Sequence, residues 1–455
     1  MFPEEGELGL RIVLLCGGSG KRLWPLSNEI RSKVFLKLLK SADGTRESMI
    51  QRICRQLDEV GLLQSTCIVT HHSQVEITRT YVGEDILIIS EPYKRGTFPA
   101  IGLAISYLHE NMHMEPNETI CILPVDTFAD TAFFQLLHRF PDVLAQSKAA
   151  LALLGTKPNQ PSDQFGYIVP VLPKETDGYA FIRQFREKPD EQTASRLIEQ
   201  QALWNCGVFA FSLQFMLSYL QDMGHPVQVD TWRANYEQLA NESFDREVVE
   251  HTQPAIVLAY DGLWNDLGSW KALTEHFNNR VIGTGRISDN SSNTHVINEL
   301  PYPIEVIGVP DIIVAASADG ILIANKEQAN LIKERYTTVS LTPKYGEKSW
   351  GVYRVLHYCK DELGTETMIK QVELSQGKAT SYHQHHLRQE IITILSGSAE
   401  ILLEDIRYKL LAGDVMQIPA GMKHGIKAIT PLIFMEVLLG KDLAEDDITR
   451  LAHKW

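Results

Sequence analysis

Apolar and polar residues alternate in blocks along the first 280 residues, and these blocks predict strands and helices in turn. Short apolar runs occur at residues 12–15, 67–69, 86–89, 119–123 and 151–154. Between the first two runs, residues 46–60 repeat apolar side chains at the spacing of one helical face, namely Met49, Ile50, Ile53, Leu57 and Val60. This alternation predicts an α/β domain with a right-handed parallel sheet that binds ligands at the carboxyl ends of its strands.

The pattern changes near residue 281, where short β-branched pieces separated by turns replace the helical blocks. We interpret residues 281–340 as a β-rich connector that ends in a helix-like stretch. Residues 341–455 show alternating strands with glycine turns, which is typical of a small jelly-roll barrel. The predicted domains are therefore residues 1–280, 281–340 and 341–455.

Composition narrows the function classes. A net charge of -14 argues against non-specific binding to nucleic acid or to an acidic membrane surface, because both need basic patches. No apolar run reaches the roughly 18 residues of a membrane helix, and the acidic start MFPEEGE is not a signal peptide. We therefore expect a cytoplasmic protein. The six cysteines are scattered without close pairing, so we expect buried free thiols.

A glycine-rich loop follows the first apolar run. Gly17, Gly18, Ser19 and Gly20 come directly before Lys21 and Arg22. Glycines let the backbone N–H groups approach an anion, so the loop is a candidate phosphate cradle; the alternative is a tight turn without a ligand. Neither the P-loop pattern nor the dinucleotide pattern is present.

The longer string GGSGKRLWPLS, with Lys33 before FLKL, resembles the signature of the sugar-1-phosphate nucleotidylyltransferases. Among these it is most similar to the mannose-1-phosphate guanylyltransferases. The resemblance implies a Rossmann-like nucleotidyltransferase domain, Mg²⁺, and GTP and mannose 1-phosphate as substrates. It also implies that Leu15, residues 17–20 and Lys21 bind the nucleotide, that Arg22 binds the departing diphosphate, and that Lys33 stabilises charge at the reacting phosphorus.

Other segments extend this resemblance. Glu91, Arg95 and Thr97 follow a strand end, and the family has a similar segment in its nucleotide pocket. Asp126 follows the most apolar strand, where it is either a Mg²⁺ ligand or a helix cap. Asp266, in WNDLGSW, corresponds to the second Mg²⁺ ligand of the family, with a turn residue as the alternative.

The sugar-phosphate pocket is implied by three strings in family order, FGYI, FREKP and WNCG. Each string alone is also compatible with a surface turn or with core. By resemblance, their sugar-phosphate-binding residues are Gly166, Tyr167, Glu187, Lys188 and Asn205.

The last domain carries both halves of the cupin motif, with Ala428 where the second half commonly has asparagine. His383 and His385 lie two apart, and Glu390 and His424 complete a metal-ligand spacing. Three imidazoles and a carboxylate suit Zn, Fe, Mn or Ni, and spacing does not choose among them.

The tail resembles type II phosphomannose isomerase, but Leu387 and Ile391 stand where that family has histidines. Three alternatives stay open: a bifunctional transferase and isomerase, a transferase of other nucleotide or sugar preference, and a transferase with a sensor or assembly cupin. The oligomeric state is open as well, with a homodimer among the alternatives.

Overall fold

A computed structural model describes residues 9–18, 21–41, 43–171, 178–335, 343–441, 443 and 447–451. The chain divides into two compact units, one made of Met1–Ser19 and Val34–Phe277 and the other of Gly20–Lys33 and Asn278–Trp455. The predicted domain boundaries stay predictions. The grouping of Gly20–Lys33 with the C-terminal part of the chain was not expected from the sequence.

The first unit contains a central sheet and two short ladders. Its strands are β1 (Leu10–Leu15), β2 (Leu39–Lys40), β3 (Arg46–Glu47), β4 (Thr66–His71), β5 (Leu87–Glu91), β6 (Thr119–Pro124), β7 (Thr127–Ala129), β8 (Leu151–Thr156), β9 (Tyr167–Pro170), β10 (Tyr179–Arg186), β11 (Leu203–Ser212), β12 (Ala255–Tyr260) and β13 (Trp264–Asp266). Nine of them form one sheet in the order β5-β4-β1-β6-β11-β8-β12-β10-β9.

Helices connect these strands. They are α1 (Met49–Glu59), α2 (Val75–Val82), α3 (Thr97–Glu110), α4 (Thr131–Gln135), α5 (Phe140–Ser147), α6 (Glu191–Glu199), α7 (Leu213–Asp222), α8 (Val229–Asn235), α9 (Phe244–Glu247) and α10 (Trp270–Thr274). Helix α1 confirms the predicted helical face, and it begins at a capping box. There the Gln51 N–H donates to Ser48 Oγ at 3.3 Å, and the Ser48 N–H donates to Gln51 Oε1 at 3.2 Å.

The sheet was predicted to be parallel, but it is mixed. Strands β5, β4, β1 and β6 run parallel, and so do β8 and β12, but β11 is antiparallel to both β6 and β8. Strand β10 is antiparallel to β9 and β12. An apolar strand buried on both faces has the same pattern in either direction, so the sequence carries no sign of strand polarity.

Aromatic side chains fill the core beside the sheet. Phe244 packs against Phe209 and Phe211, with ring centroids 5.1 and 5.6 Å away. Trp232 covers Gly102 on α3, where an added Cβ would lie 2.3 Å from the indole ring. A glycine at this helical position therefore lets the large ring approach the helix backbone.

The second unit begins its β structure in the connector. The strands are β14 (Val281–Ile282), β15 (Gly285–Ile287), β16 (His295–Asn298), β17 (Ile304–Val306), β18 (Ile312–Ser317) and β19 (Gly320–Asn325), followed by helix α11 (Ile332–Arg335). Strands β14, β16 and β18 pair in parallel and β19 closes the sheet in the antiparallel direction, while β15 pairs in parallel with β17. Val296, Val306 and Val314 form a small core between them.

Two antiparallel sheets form the last part of the chain. The strands are β20 (Tyr345–Lys348), β21 (Gly351–Lys360), β22 (Glu366–Leu374), β23 (His383–Gln384), β24 (Arg388–Ser396), β25 (Ser398–Leu403), β26 (Ile406–Leu411), β27 (Val415–Ile418), β28 (His424–Ala428), β29 (Leu432–Gly440) and β30 (Thr449–Arg450). They are ordered β20-β21-β22-β29-β24-β27 and β26-β25-β28-β23-β30, with Ile394, Ile401 and Phe434 in the core. The predicted cupin fold is confirmed.

All six cysteines are free, and five of them are buried as expected, whereas Cys359 is exposed. Within the described ranges, no helix is long and apolar enough to cross a membrane. The cytoplasmic location and the homodimer stay predictions from the sequence.

Candidate functional site

The carboxyl ends of four parallel strands meet at one edge of the central sheet. Leu15 at the end of β1 pairs with Pro124 at the end of β6 and with Val69 on β4, and Glu91 ends β5 beside them. The glycine loop leaves β1 at this edge. Gly18 has a backbone φ of 127°, a value that residues other than glycine rarely adopt. Both Gly17 and Gly18 are exposed.

Three residues of the predicted loop fall outside this description. Ser19 and Gly20 are not among the described residues, and neither is the side chain of Lys21. Their predicted role in nucleotide binding stays a prediction.

A short antiparallel ladder brings the two predicted metal ligands together. Strands β7 and β13 pair so that Asp266 lies opposite Thr127, the residue after Asp126. The main-chain oxygen of Asp126 also accepts a hydrogen bond from the Leu267 N–H at 3.3 Å. Two carboxylates that are distant in the sequence thus become neighbours at the end of the sheet.

These aspartates line a cavity of about 170 Å³ in the first unit. Four of the five residues predicted to bind the sugar phosphate line it as well. Those four are Gly166, Glu187, Lys188 and Asn205. Separate segments of the chain therefore contribute to one cavity, and most of the predicted sugar-side residues converge there.

Asn205 is oriented by its neighbours in this cavity. Its Nδ2 donates to Asp245 Oδ1 at 2.8 Å, and its Oδ1 accepts from the Gly207 N–H at 2.9 Å. A carboxamide has two N–H donors and two acceptor lone pairs, so one of each stays available to a ligand. Fixed in this way, the amide can recognise a hydroxyl group, which is both donor and acceptor.

The same cavity is acidic on one side. The Glu187 side chain is almost fully buried, and it pairs with the Lys188 ammonium, whose side chain is half exposed. Burial and the nearby Glu187 carboxylate raise the pKa of Asp245, and the Lys188 charge only partly opposes them. Carboxylates that line a cavity are good acceptors for sugar hydroxyl groups.

Glycine at position 166 keeps the cavity open. An added Cβ there would lie 2.6 Å from Glu187 Oε2 and 3.0 Å from Phe185 Cζ. The Gly166 carbonyl accepts the Asn205 N–H at 2.8 Å. A side chain at this position would therefore displace the side chain of Glu187 or Phe185.

Tyr167 does not join its neighbours in the cavity. Its side chain is fully buried, and its hydroxyl bonds with the main-chain N and O of Ser162 at 3.0 and 3.1 Å. It packs in a small core with Val169 and Trp204. Because strand residues alternate between two faces, the residue after Gly166 points away from the cavity.

The residues predicted to bind the nucleotide, Glu91, Arg95 and Thr97, lie at or just after the end of β5. Burial raises the pKa of Glu91 to about 7, although the nearby Tyr236 hydroxyl and the Lys94 charge partly oppose this shift. The Thr97 hydroxyl accepts the Phe244 N–H at 2.9 Å, and the Arg95 carbonyl accepts the Glu242 N–H at 3.2 Å. Among the described residues, the lining of the 170 Å³ cavity does not include Glu91, Arg95 or Thr97.

Arg22 and Lys33 belong to the second unit. Arg22 is partly buried in a 3-10 turn, Lys21–Leu23, and Lys33 begins a second 3-10 turn, Lys33–Phe35. The catalytic roles that the resemblance implies for them stay predictions.

A histidine cluster lies in the cupin. His383, His385 and His424 each place a ring nitrogen within 4.8 Å of the others. His383 on β23 is the register partner of His424 on β28. Three of the four predicted cupin ligands are therefore together.

In each of the three histidines, Nδ1 faces a main-chain carbonyl oxygen. His383 Nδ1 lies 2.8 Å from the Ser381 carbonyl oxygen and His424 Nδ1 lies 3.1 Å from that of Met422, while His385 Nδ1 bonds the Asp447 carbonyl. A carbonyl oxygen can only accept, so each Nδ1 carries hydrogen. This leaves each Nε2 as the ligand atom, which is the usual arrangement of histidines that bind a metal.

Glu390, the fourth predicted ligand, lies beside this cluster. Its Oε1 is 3.2 Å from His385 Nε2, and its Oε2 is 3.0 Å from His424 Nε2. Arg388 is 3.4 Å from the same carboxylate. Burial would raise the pKa of Glu390, but the neighbouring His424, His385 and Arg388 outweigh burial and lower it. An ionised carboxylate beside three imidazole Nε2 atoms fits a divalent transition metal.

Sequence reasoning missed Asp245. The string SFDREVVE resembles a family segment, yet it assigns no role to any residue in it. The signal was present only as a carboxylate inside that string, and its contact with Asn205 depends on the fold.

The mixed sheet, the paired aspartates at a cavity and the cupin that follows define an enzyme of the nucleotidyltransferase class. The chain belongs to the nucleotidyl transferase family, whose model matches residues 11–281. Residues 341–453 match a second family, described as mannose-6-phosphate isomerase C-terminal. The resemblance seen in the signature string is thus confirmed.

Curated relatives extend over the whole chain. Mannose-1-phosphate guanylyltransferase RfbM of Salmonella typhimurium is 27% identical over 97% of this chain and 96% of its own. Alginate biosynthesis protein AlgA of Pseudomonas aeruginosa is 27% identical over 96% of this chain and 95% of its own.

A solved structure has the same fold over most of the chain. It comes from Thermus thermophilus and is described as a mannose-1-phosphate geranyltransferase. The TM-score is 0.61 at 24% identity, with 72% of this chain and 98% of that chain covered. At this identity the likeness supports the fold alone.

The histidine cluster predicts metal binding. The purified full-length protein should bind Zn²⁺ or another divalent transition ion. His424→Ala should weaken that binding at least about 100-fold, because even outer-shell partners of such sites contribute 10- to 100-fold. Metal analysis of the purified protein and titration calorimetry measure this. The exposed neighbour His386 gives a matched control, His386→Ala, which should keep the metal. Stoichiometric metal in His424→Ala would contradict the site.

Proposed function

We propose that this chain transfers GMP from GTP to the phosphate of α-D-mannose 1-phosphate, giving GDP-mannose and diphosphate. The observation that carries this proposal is the β7–β13 pairing, which places Asp126 beside Asp266 at a cavity that Glu187 and Asn205 also line. The choice of base and sugar is supported by two Salmonella relatives named mannose-1-phosphate guanylyltransferase, each 27% identical to this chain.

The acceptor supplies its own nucleophile. An oxygen of the sugar phosphate attacks the α-phosphorus of GTP, and the bond from that phosphorus to the bridging oxygen of the β-phosphate breaks, releasing diphosphate. The attacking oxygen is already anionic, so the reaction needs no strong general base. The protein must align the two phosphates and offset their negative charge.

Asp126 and Asp266 would hold Mg²⁺ at this site. Two neighbouring carboxylates fit the ion, since it prefers oxygen ligands and binds beside phosphates. When bound, the ion supplies positive charge where the two anionic reactants meet.

The phosphate side of the proposal depends on the glycine loop. Exposed Gly17 and Gly18 leave their backbone accessible to the triphosphate of GTP. Arg22 would bind the departing diphosphate, and Lys33 would stabilise charge at the α-phosphorus. The family resemblance supports both of these roles.

The sugar side depends on the cavity. Glu187 and Asn205 would bind hydroxyl groups of mannose, since a carboxylate accepts and an amide both donates and accepts. The half-exposed Lys188 ammonium would bind the sugar phosphate. The hydroxyl of Tyr167 is committed to Ser162, so we assign it no contact with the sugar. Glu91, Arg95 and Thr97 would border the nucleotide from the end of β5.

A second candidate function belongs to the cupin: the interconversion of fructose 6-phosphate and mannose 6-phosphate. Two observations favour it, the three convergent histidines and the family match over residues 341–453. A metal bound there would polarise the sugar carbonyl. Leu387 and Ile391, which replace family histidines, weigh against it.

Substrate choice tests the leading proposal. We expect diphosphate release from the full-length protein with Mg²⁺, GTP and mannose 1-phosphate, and at least about tenfold lower kcat/KM with other pairs, since a lost polar contact discriminates strongly. The assay compares GTP, ATP, dTTP and UTP against mannose and glucose 1-phosphates. Preference for UTP or dTTP with glucose 1-phosphate would reject the substrate assignment. No release with any pair would reject the transferase reaction.

Removal of either paired carboxylate tests the site. Asp126→Asn and Asp266→Asn should each lower kcat by roughly 10²–10³-fold, a typical loss when one preorganised electrostatic contact is removed. The same diphosphate assay measures this. Asp261→Asn, at an exposed aspartate close to Asp266 in sequence, is the matched control and should keep wild-type turnover. Near-normal turnover of Asp266→Asn would mean that the site is misassigned.

Isomerase activity is tested in the same protein. If the second candidate holds, metal-loaded wild type should convert mannose 6-phosphate to fructose 6-phosphate, and His383→Ala should lower the rate at least about 100-fold by loss of a metal ligand. GMP transfer by the same variant should stay within about twofold of wild type, because its chemistry uses other residues. Absence of isomerisation by the metal-loaded wild type would reject this function.

A further inference from the structure

The second half of the signature string is anchored inside the second unit. Asn28 Nδ2 donates to Asp319 Oδ2 at 2.9 Å and to the Tyr345 carbonyl at 3.0 Å. The Ser317 hydroxyl donates to the Pro25 carbonyl at 2.6 Å. Residues 20–33 are hereafter the signature segment. Through Pro25 and Asn28, this segment is hydrogen-bonded to the connector and to the start of the cupin.

One arginine of this segment forms ion pairs within the same unit. Both carboxylate oxygens of Glu299 lie 3.0 Å from Arg31 Nη1, and Glu347 Oε1 lies 3.1 Å from its Nε. The guanidinium carbon is 4.7 Å from the ring centroid of Tyr345. The Tyr345 hydroxyl in turn donates to Glu347 at 2.9 Å. Arg31 is only 9% exposed, so solvent screens these ion pairs little.

The partners of Arg31 come from two different parts of the unit. Glu299 follows strand β16 of the connector, and Glu347 lies on β20, the first strand of the cupin sheet. A guanidinium can bind two carboxylates and stack on a ring at once because it is planar and has five N–H donors. A lysine ammonium has the charge without this geometry.

We propose that Arg31 is a positioning residue of the transferase reaction, holding the signature segment, and through it Lys33, by binding Glu299 and Glu347. Lys33 lies two residues beyond Arg31 and begins the turn Lys33–Phe35. The connector and the first cupin strand therefore hold the segment that carries Lys33. This inference rests on the proposed function, which gives Lys33 its role.

A double-mutant cycle in the full-length protein tests the inference. The four proteins are wild type, Arg31→Leu, Lys33→Ala and the double variant, assayed with GTP and mannose 1-phosphate for kcat and both KM values. Arg31→Leu should lower kcat about 10- to 100-fold, since misplacing a catalytic group by about 1 Å can cost that much. The KM for mannose 1-phosphate should change less than about threefold, because Glu187 and Asn205 are untouched.

Coupling separates positioning from general stability. If Arg31 acts through Lys33, then Arg31→Leu should reduce kcat far less in the Lys33→Ala background than in wild type. A residue that only stabilises the fold would give effects that multiply. Multiplicative losses in an active enzyme would overturn the inference, and so would wild-type kcat in Arg31→Leu. No turnover by wild type would reject the proposed function and the inference with it.

Two further variants distinguish an effect on catalysis from a failure to fold. Arg31→Lys keeps the charge, and it should fold while losing part of kcat because an ammonium cannot bind both carboxylates in the same way. Arg286, an exposed connector arginine 3.9 Å from Glu305, gives the matched control Arg286→Leu. The control should keep wild-type kcat. Thermal midpoints of all variants show which ones are folded, and full kcat in folded Arg31→Lys would contradict the need for the guanidinium.

Discussion

The pairing of β7 with β13 is the constraint on which the candidate active site depends. Its register sets Asp266 opposite Thr127 and therefore beside Asp126. Two carboxylates brought together repel each other, and a divalent cation offsets that repulsion. The fold thus provides a concentration of negative charge at the end of the sheet, in the cavity that Glu187 and Asn205 also line.

Around that pair, fixed main-chain and side-chain contacts set the orientation of the groups that would meet a ligand. Asn205 is held by Asp245 and by the Gly207 N–H, and the absence of a side chain at Gly166 leaves room for Glu187. The cupin follows the same principle with different chemistry, since main-chain carbonyls orient its three histidines. In both places, hydrogen bonds with neighbouring groups fix the orientation of side chains that are predicted to bind a ligand.

Local motifs predicted many residues of the candidate site but few of the residues that hold them in place. The signature string, the two aspartates and the histidine spacing were visible because each is a short pattern of chemically distinctive residues. Tyr167 was predicted to bind the sugar phosphate, but strand alternation directs its side chain into the core. Asp245 and Arg31 were not singled out, since the role of each depends on partners far away in the chain, Asn205 for the first and Glu299 for the second.

The order of apolar and polar residues was enough to indicate an α/β domain, a β-rich connector and a cupin, because strand and helix periods are local properties of the chain. Strand direction was not encoded in this way, and β11 proved antiparallel to β6 and β8. Tertiary structure also decided that residues 20–33 belong with the C-terminal unit. The physical reason is that ion pairs such as Arg31 with Glu299 form only when the folded chain brings their partners together.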